Sequence, residues 1–222
     1  PLERVLKSGQ PDFPFCMAWA NEPWTRRWDG GDSEVLMAQD YGERDDWMRH
    51  FDYLAPFLRD PRYLRCGDRP LILIYRTASI TRCADMLDCW RARARAQGIG
   101  DLYIVSMLTY FERDERADLF DAYVDFEPMA SIDRLPWHRL KWEQIVQRCN
   151  RLQALLPGGA TRARKSRSYS LLWRTMCERP SDARHWPGAF VDWDNSPRRP
   201  KGESLVLRNV SIDTFEAGLA SQ

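Results

Sequence analysis

The feature that most constrains this chain is a repeated alternation. Short apolar runs that end in polar or aromatic groups are separated by stretches with helical periodicity. Residues 13–20 (FPFCMAWA), 71–76 (LILIYR), 102–107 (LYIVSM), 122–127 (AYVDFE) and 188–193 (GAFVDW) are the runs. Near-continuous apolar character over so few residues reads as a strand covered on both faces. In 44–58, Trp47, Phe51, Leu54 and Phe57/Leu58 recur at helical spacing and share one face, and Asp60-Pro61 closes the segment. A second helix is expected over 83–97 before Gly98. A third is expected over about 141–155, carrying Trp142, Ile145, Val146, Cys149 and Leu152. Residues 1–9 read as a helix end stopped by Gly9, and 34–40 and 204–209 as short extended pieces. The stretch 111–120 is loop-like or helical, 169–177 is strand or helix, and 212–219 is a last helix.

Strands that return through helices pair in parallel, so the expected class is α/β with a mainly parallel sheet. A (β/α) barrel and a doubly wound sheet both fit that pattern. Four of the five strands finish at Asn21/Glu22, Tyr75/Arg76, Glu127 and Asp194/Asn195, groups that a barrel gathers at one mouth. A doubly wound nucleotide-binding sheet needs a glycine-rich first turn, and neither G-x-G-x-x-G nor G-x-x-x-x-G-K-[ST] occurs. The expectation is therefore an incomplete (β/α)8 TIM-type barrel, because five strands fall short of eight. With 222 residues and 44% hydrophobic composition, a single domain over 1–222 is expected.

Charge excludes some function classes. Thirty-three basic residues against 32 acidic ones leave no global field to draw the chain to nucleic acid or an anionic membrane. The densest basic cluster, RARKSR at 162–167, reads as a solvated loop. Six cysteines without a C-x-x-C pair read as free thiols in a reducing compartment, which places the protein in the cytoplasm. His50, His138 and His185 are scattered outside any metal-binding frame, so neither a metal nor a cofactor is expected. No segment reaches the roughly 18 apolar residues of a membrane span.

Chemistry concentrates after the first strand. Trp19, Trp24 and Trp28 lie close in sequence to Glu22, Arg26, Arg27 and Asp29. Flat aromatic faces beside carboxylates and guanidinium forks suit a sugar ring, which offers C–H faces and hydroxyls. The alternative is a strand end whose Trp residues cap a core while Arg26 and Arg27 pair with Asp29 and Asp32.

The blocks FCMAWANEPWTRRWDG, AQDY, DDWMRHFDYLAPFLRDPRYL, RPLILIYR and WDNSPRR, in this order and spacing, resemble the glycosyltransferase WbsX-like family, also called the glycoside hydrolase family 99-like domain. The likeness runs from about Asp12 to Arg199. It implies a (β/α)8 barrel, a bacterial setting among polysaccharide and O-antigen assembly genes, and kinship with enzymes that cleave α-mannosides with retention. Earlier barrel strands and a late N-x-W-N-E-W-x-E-G segment, which would carry the two catalytic glutamates, are not found here. The resemblance thus implies an internal fragment without its first and last barrel units, whose open edges favour association.

Glycosidic cleavage takes two carboxyl groups flanking the bond. If both belong to the absent segment, the catalytic residues are unknown here. What remains is a saccharide cleft lined by Glu22, Trp24, Arg27, Tyr75, Arg76, Glu127, Trp193 and Asp194, with Asn21 and Asn195 orienting them. The alternative for the arginines is a brace of rim salt bridges, and for Glu127 a carboxylate in water. Trp47, Trp90 and Trp142 read as core. Three functions stay open: a hydrolase, a transferase or accessory protein of polysaccharide assembly, and a binding module without turnover.

Overall fold

The computed structural model describes residues 2–26, 34–109, 114, 116–135, 145, 165–180, 182–196 and 204–222. In chain order its elements begin with α1 (Leu2–Ser8), β1 (Met17–Trp19), β2 (Trp24–Thr25), β3 (Val35–Met37), α2 (Arg44–Leu58), β4 (Arg65–Cys66) and β5 (Arg69–Ile74). There follow α3 (Cys83–Ala96), β6 (Tyr103–Leu108), β7 (Ala122–Asp125), α4 (Met129–Asp133), β8 (Lys165–Ser168) and α5 (Tyr169–Cys177). The last are β9 (His185–Trp186), β10 (Leu205–Arg208) and α6 (Ile212–Ala220). Two compact units divide them: Pro1–Glu22, Gln39–Val124 and Ala183–Trp186 form the first, and Pro23–Ala38, Asp125–Asp182 and Pro187–Gln222 the second.

The first unit is a mixed α/β structure on a sheet of order β1-β5-β6-β7-β9, with β4 antiparallel on β5. Its long pairings are parallel, as expected, with Met17 opposite Ile72 and Ile72 opposite Ile104. Neighbouring residues alternate between two clusters, as the pleat requires. Ile72, Ile74 and Ile104 pack with Phe51, Leu54 and Leu58 of α2 and Met86, Leu87 and Trp90 of α3. Leu71, Val105 and Ala122 form the other cluster, with Leu73, Tyr103, Val124 and Trp186 against it. Each fully buried side chain of this size contributes about 1.5–3 kcal/mol. Helix α2 starts on a reciprocal capping box, in which Glu43 N donates to Asp46 Oδ2 at 2.9 Å, and it ends at Leu58 just before Asp60-Pro61.

Two strand expectations need correction. The apolar run 13–20 yields only the three residues of β1, with Phe13 69% exposed and Ala18 exposed. Among the described strands β1 pairs with β5 alone, and Pro14 has no N–H to extend the ladder. Phe15, Met17 and Trp19 pack on the helix side, so the run is partly covered. The strand expected at 188–193 is instead β9, with Tyr123 opposite His185 and Val124 opposite Trp186. Pro187 comes next and cannot donate to β7, so the chain leaves the sheet there. Gly188 then passes so near Asp125 that a Cβ would lie 2.2 Å from its carbonyl oxygen.

In the second unit, β8 and β10 pair in parallel, and α5 and α6 pack around Trp173. Residues 169–177 are helical: Ser168 caps them by accepting from Leu171 N at 3.4 Å, and Leu172, Trp173 and Met176 are buried. At Gly218 a Cβ would lie 2.1 Å from the Trp173 ring, so only glycine lets α6 approach. Lys165–Arg167, expected in a solvated loop, belong to β8, because Leu205–Arg208 supply a pairing partner distant in sequence. Strands β2 and β3 form a small antiparallel hairpin. The helix expected over 141–155 lies outside the described residues except for Ile145.

Candidate functional site

Because β1 and β5 are parallel neighbours with Trp19 opposite Ile74, the residues that follow them emerge together. The ladder continues one step further, with Tyr75 N donating to Trp19 O at 3.0 Å. Beyond it Asn21, fully buried, takes over the pairing through its side chain. Its Oδ1 accepts from Arg76 N at 2.8 Å and its Nδ2 donates to Arg76 O at 2.9 Å. The same Nδ2 donates to the Tyr41 hydroxyl at 3.1 Å, and that hydroxyl donates back to Asn21 O at 3.0 Å. A buried amide so completely engaged is a positioning device, since every polar atom has a partner.

What Asn21 positions is the pair beside it. Arg76 Nη1 stands 3.7 Å from Glu22 Oε2, with the Glu22 side chain 42% exposed and that of Arg76 24% exposed. At that distance and exposure the attraction is weak, so a ligand hydroxyl can enter between the charges at little cost. Tyr75 is half-buried beside them. Asn21, Glu22, Tyr75 and Arg76 are therefore brought together.

Tyr41 links this group to a pocket of about 350 Å³ lined by Trp19, Gln39, Asp40, Tyr41, Asp46 and His50, among others. His50 meets Trp19 edge-on at 4.6 Å between ring centroids and Trp90 at 5.1 Å. Burial pushes its pKa below the ordinary histidine value and favours the neutral ring.

Sequence reasoning missed a polar cluster behind the end of β5. The Thr77 and Ser106 hydroxyls share a hydrogen bond of 2.8 Å, both buried. Arg116 donates to the carbonyls of Thr77 and Ile80 and to Asp114. Burial raises the Asp114 pKa, but hydrogen bonds from Arg116 and Thr77 overcome it and leave the net shift downward. The signal was present as D-x-R, since Asp60 and Arg62 make the same local turn, with Asp60 Oδ1 accepting from both Arg62 N and Nε.

The second unit holds the other expected residues that the structure describes. Trp24 is 67% exposed on the β2–β3 hairpin, opposite Met37. Arg27 lies outside the described residues. Glu127 is not in water: its side chain is fully buried, paired with Arg179, and its Oε2 accepts from Ser131 N at 3.0 Å. Arg179 also donates to Asp125 Oδ2 at 2.8 Å. Asn195 is buried, with Oδ1 accepting from Leu205 N at 2.7 Å, which fastens its loop to β10. Asp194 is exposed and its Oδ1 accepts from Ser196 N at 2.8 Å. Trp193 packs on the second core, and its buried indole N–H has no acceptor among the described residues. Also among the described residues, no group of histidine, cysteine or acidic side chains has the geometry to hold a metal ion, and no helix is long and apolar enough to cross a membrane.

The whole chain, residues 1–222, matches the family described as Glycosyltransferase WbsX, and the chain belongs to that family. It is also similar to the uncharacterized protein WxcX of Xanthomonas campestris pv. campestris, in strains ATCC 33913 and B100 alike. Each is 35% identical over 210 residues, which cover 94% of this chain and 28% of the relative. The chain thus spans little more than a quarter of the curated relatives it matches. No solved structure gives a significant match.

Proposed function

We propose that this member of the Glycosyltransferase WbsX family belongs to a carbohydrate-active protein of bacterial surface polysaccharide metabolism, acting in the cytoplasm on an oligosaccharide or polysaccharide. The observation that carries the reading is the Glu22–Arg76 pair at 3.7 Å, held at the ends of two parallel strands by the buried amide of Asn21. A carboxylate accepts from sugar hydroxyls and a guanidinium donates to them, so one such pair grips adjacent hydroxyls of one ring. Tyr75 supplies an apolar edge beside them. Trp24, Trp193 and Asp194 of the second unit are proposed as saccharide contacts in their own right, and so is Arg27. There Asn195 orients its loop, and Glu127 acts through Arg179 rather than by touching sugar.

The fold proposed for the complete protein is a (β/α)8 barrel of which this chain is part, with an α-mannoside-like substrate as the first to try. Hydrolysis and glycosyl transfer are distinguished by product analysis after incubation with α-mannosyl oligosaccharides and, separately, with nucleotide sugars. Free reducing ends support a hydrolase, and a lengthened acceptor supports a transferase. Binding without either product supports a module that positions saccharide for another catalyst. If no saccharide is bound or altered, the reading fails.

A further inference from the structure

The pocket in the first unit has a chemistry of its own. At about 350 Å³ it is the size of a small-ligand site that holds one ring. Trp19 and Tyr41 give it aromatic walls, and among the described residues no lysine or arginine lines it. Two carboxylates do. Asp46 accepts from Glu43 N and pairs with Arg49, whereas Asp40 has only its Oδ1 engaged among the described residues, by Gly42 N at 2.9 Å. The ring nitrogens of His50 have no hydrogen-bond partner among the described residues, and the pKa of that ring is lowered by burial alone. The wall is preformed: at Gly42, with φ 58°, a Cβ would lie 2.5 Å from Asp46 Oδ2, so only glycine permits this packing.

The polar atoms still available are an acceptor on Asp40, a neutral imidazole and the side-chain oxygen of Gln39, whose Nε2 donates to Asp40 O at 3.0 Å. They offer partners for hydroxyl groups that donate and accept, on a ring whose C–H faces meet aromatic side chains. A carboxylate or phosphate on the ligand would face the Asp40 carboxylate, which has no ion pair among the described residues, while Arg49 is held on Asp46. We propose that this pocket is a separate subsite for one uncharged sugar ring and that it selects against acidic and phosphorylated sugars. The proposal rests on the saccharide reading above and adds the charge class of the unit held here.

The test is titration of the full chain, followed by tryptophan fluorescence at neutral pH, with methyl α-mannoside, methyl α-glucoside, glucuronate and a sugar phosphate. At least one neutral glycoside should saturate the signal, and both acidic ligands should bind at least roughly tenfold more weakly. His50→Phe, which keeps an aromatic ring and removes the nitrogens, should weaken neutral binding roughly three- to tenfold, the effect of one hydrogen bond. Should that variant fail to fold, Gln39→Ala on the loop before α2 carries the same expectation. Asp40→Asn should narrow the gap between neutral and acidic ligands. The proposal is overturned if acidic sugars bind as tightly as neutral ones, if no neutral ring binds, or if the folded variants leave every affinity unchanged. Glu22→Gln separates this from the broader reading. Oligosaccharide binding that is lost in Glu22→Gln while the pocket takes no single ring defeats the subsite alone.

Discussion

Asn21 grips the backbone of Arg76 from both sides, its Oδ1 accepting from the Arg76 N–H and its Nδ2 donating to the Arg76 carbonyl. A side chain thereby extends the β1–β5 pairing past the last strand residue. The local consequence is that Glu22 and Arg76, one residue beyond and at the far end of this contact, have fixed relative positions.

Asn21→Ala removes the side-chain acceptor of the Arg76 N–H, the side-chain donor to the Arg76 carbonyl and the amide donor to the Tyr41 hydroxyl, which keeps its bond to the carbonyl of residue 21. Each such removal costs about 1–3 kcal/mol, and the expected total loss is about 3 kcal/mol of stability, read as a lower urea midpoint with an unchanged slope. Asn21→Asp should cost no less, because it turns a carboxylate oxygen toward the Arg76 carbonyl.

Glu127→Gln should be nearly as costly. It removes the charge facing Arg179, whose side chain is 14% exposed, and a buried guanidinium with one partner fewer costs about 2–4 kcal/mol. Asp125 still faces Arg179, which keeps the loss below that of a wholly unpaired charge. Chemical denaturation of the two proteins checks it.

Gly188→Ala tests the close passage by Asp125. The neighbour is a backbone carbonyl that cannot swing aside, so the added methyl should destabilise by about 1–3 kcal/mol and lower the melting temperature.

Stability should fall with acid in two windows. The folded-state pKa of His50 lies below its unfolded value of 6.5, so below 6.5 the unfolded chain takes up the proton first. His50 therefore weakens the fold as pH falls through that range, and His50→Phe should flatten this part of the profile. Asp60 is held down to about 2 by hydrogen bonds from Arg62, against 3.8 unfolded. Its contribution is intact above 3.8 and is lost as pH falls from there through 2. Urea midpoints measured across pH check both windows.

The helices over 44–58 and 83–97 and the strands in 71–76, 102–107 and 122–127 were legible because their signals are local: periodicity, caps and apolar runs. Asn21, Glu22, Tyr75 and Arg76 could be grouped because parallel strands gather the residues that follow them. Long-range partners were not legible. Nothing near Glu127 announces Arg179, 52 residues away, so a carboxylate that looked free for ligand is held in a buried pair. The basic stretch at 165–167 lacks strand character of its own and becomes β8 only beside Leu205–Arg208. Pro187 did carry a local signal, since a residue without an N–H cannot continue the pairing with β7, and it moved the last sheet strand to His185–Trp186.

The most direct test of the central claim is calorimetric titration of α-mannosyl and related oligosaccharides into the wild type and Glu22→Gln. The substitution keeps the shape and removes the charge of a half-exposed residue, so stability should change by less than about 0.5 kcal/mol. Saturable binding to the wild type that weakens at least roughly tenfold in Glu22→Gln is the predicted result, since hydrogen bonds to charged groups contribute about 1.5–3 kcal/mol. Equal affinity in the two proteins, or no binding by any oligosaccharide of the panel, would contradict it.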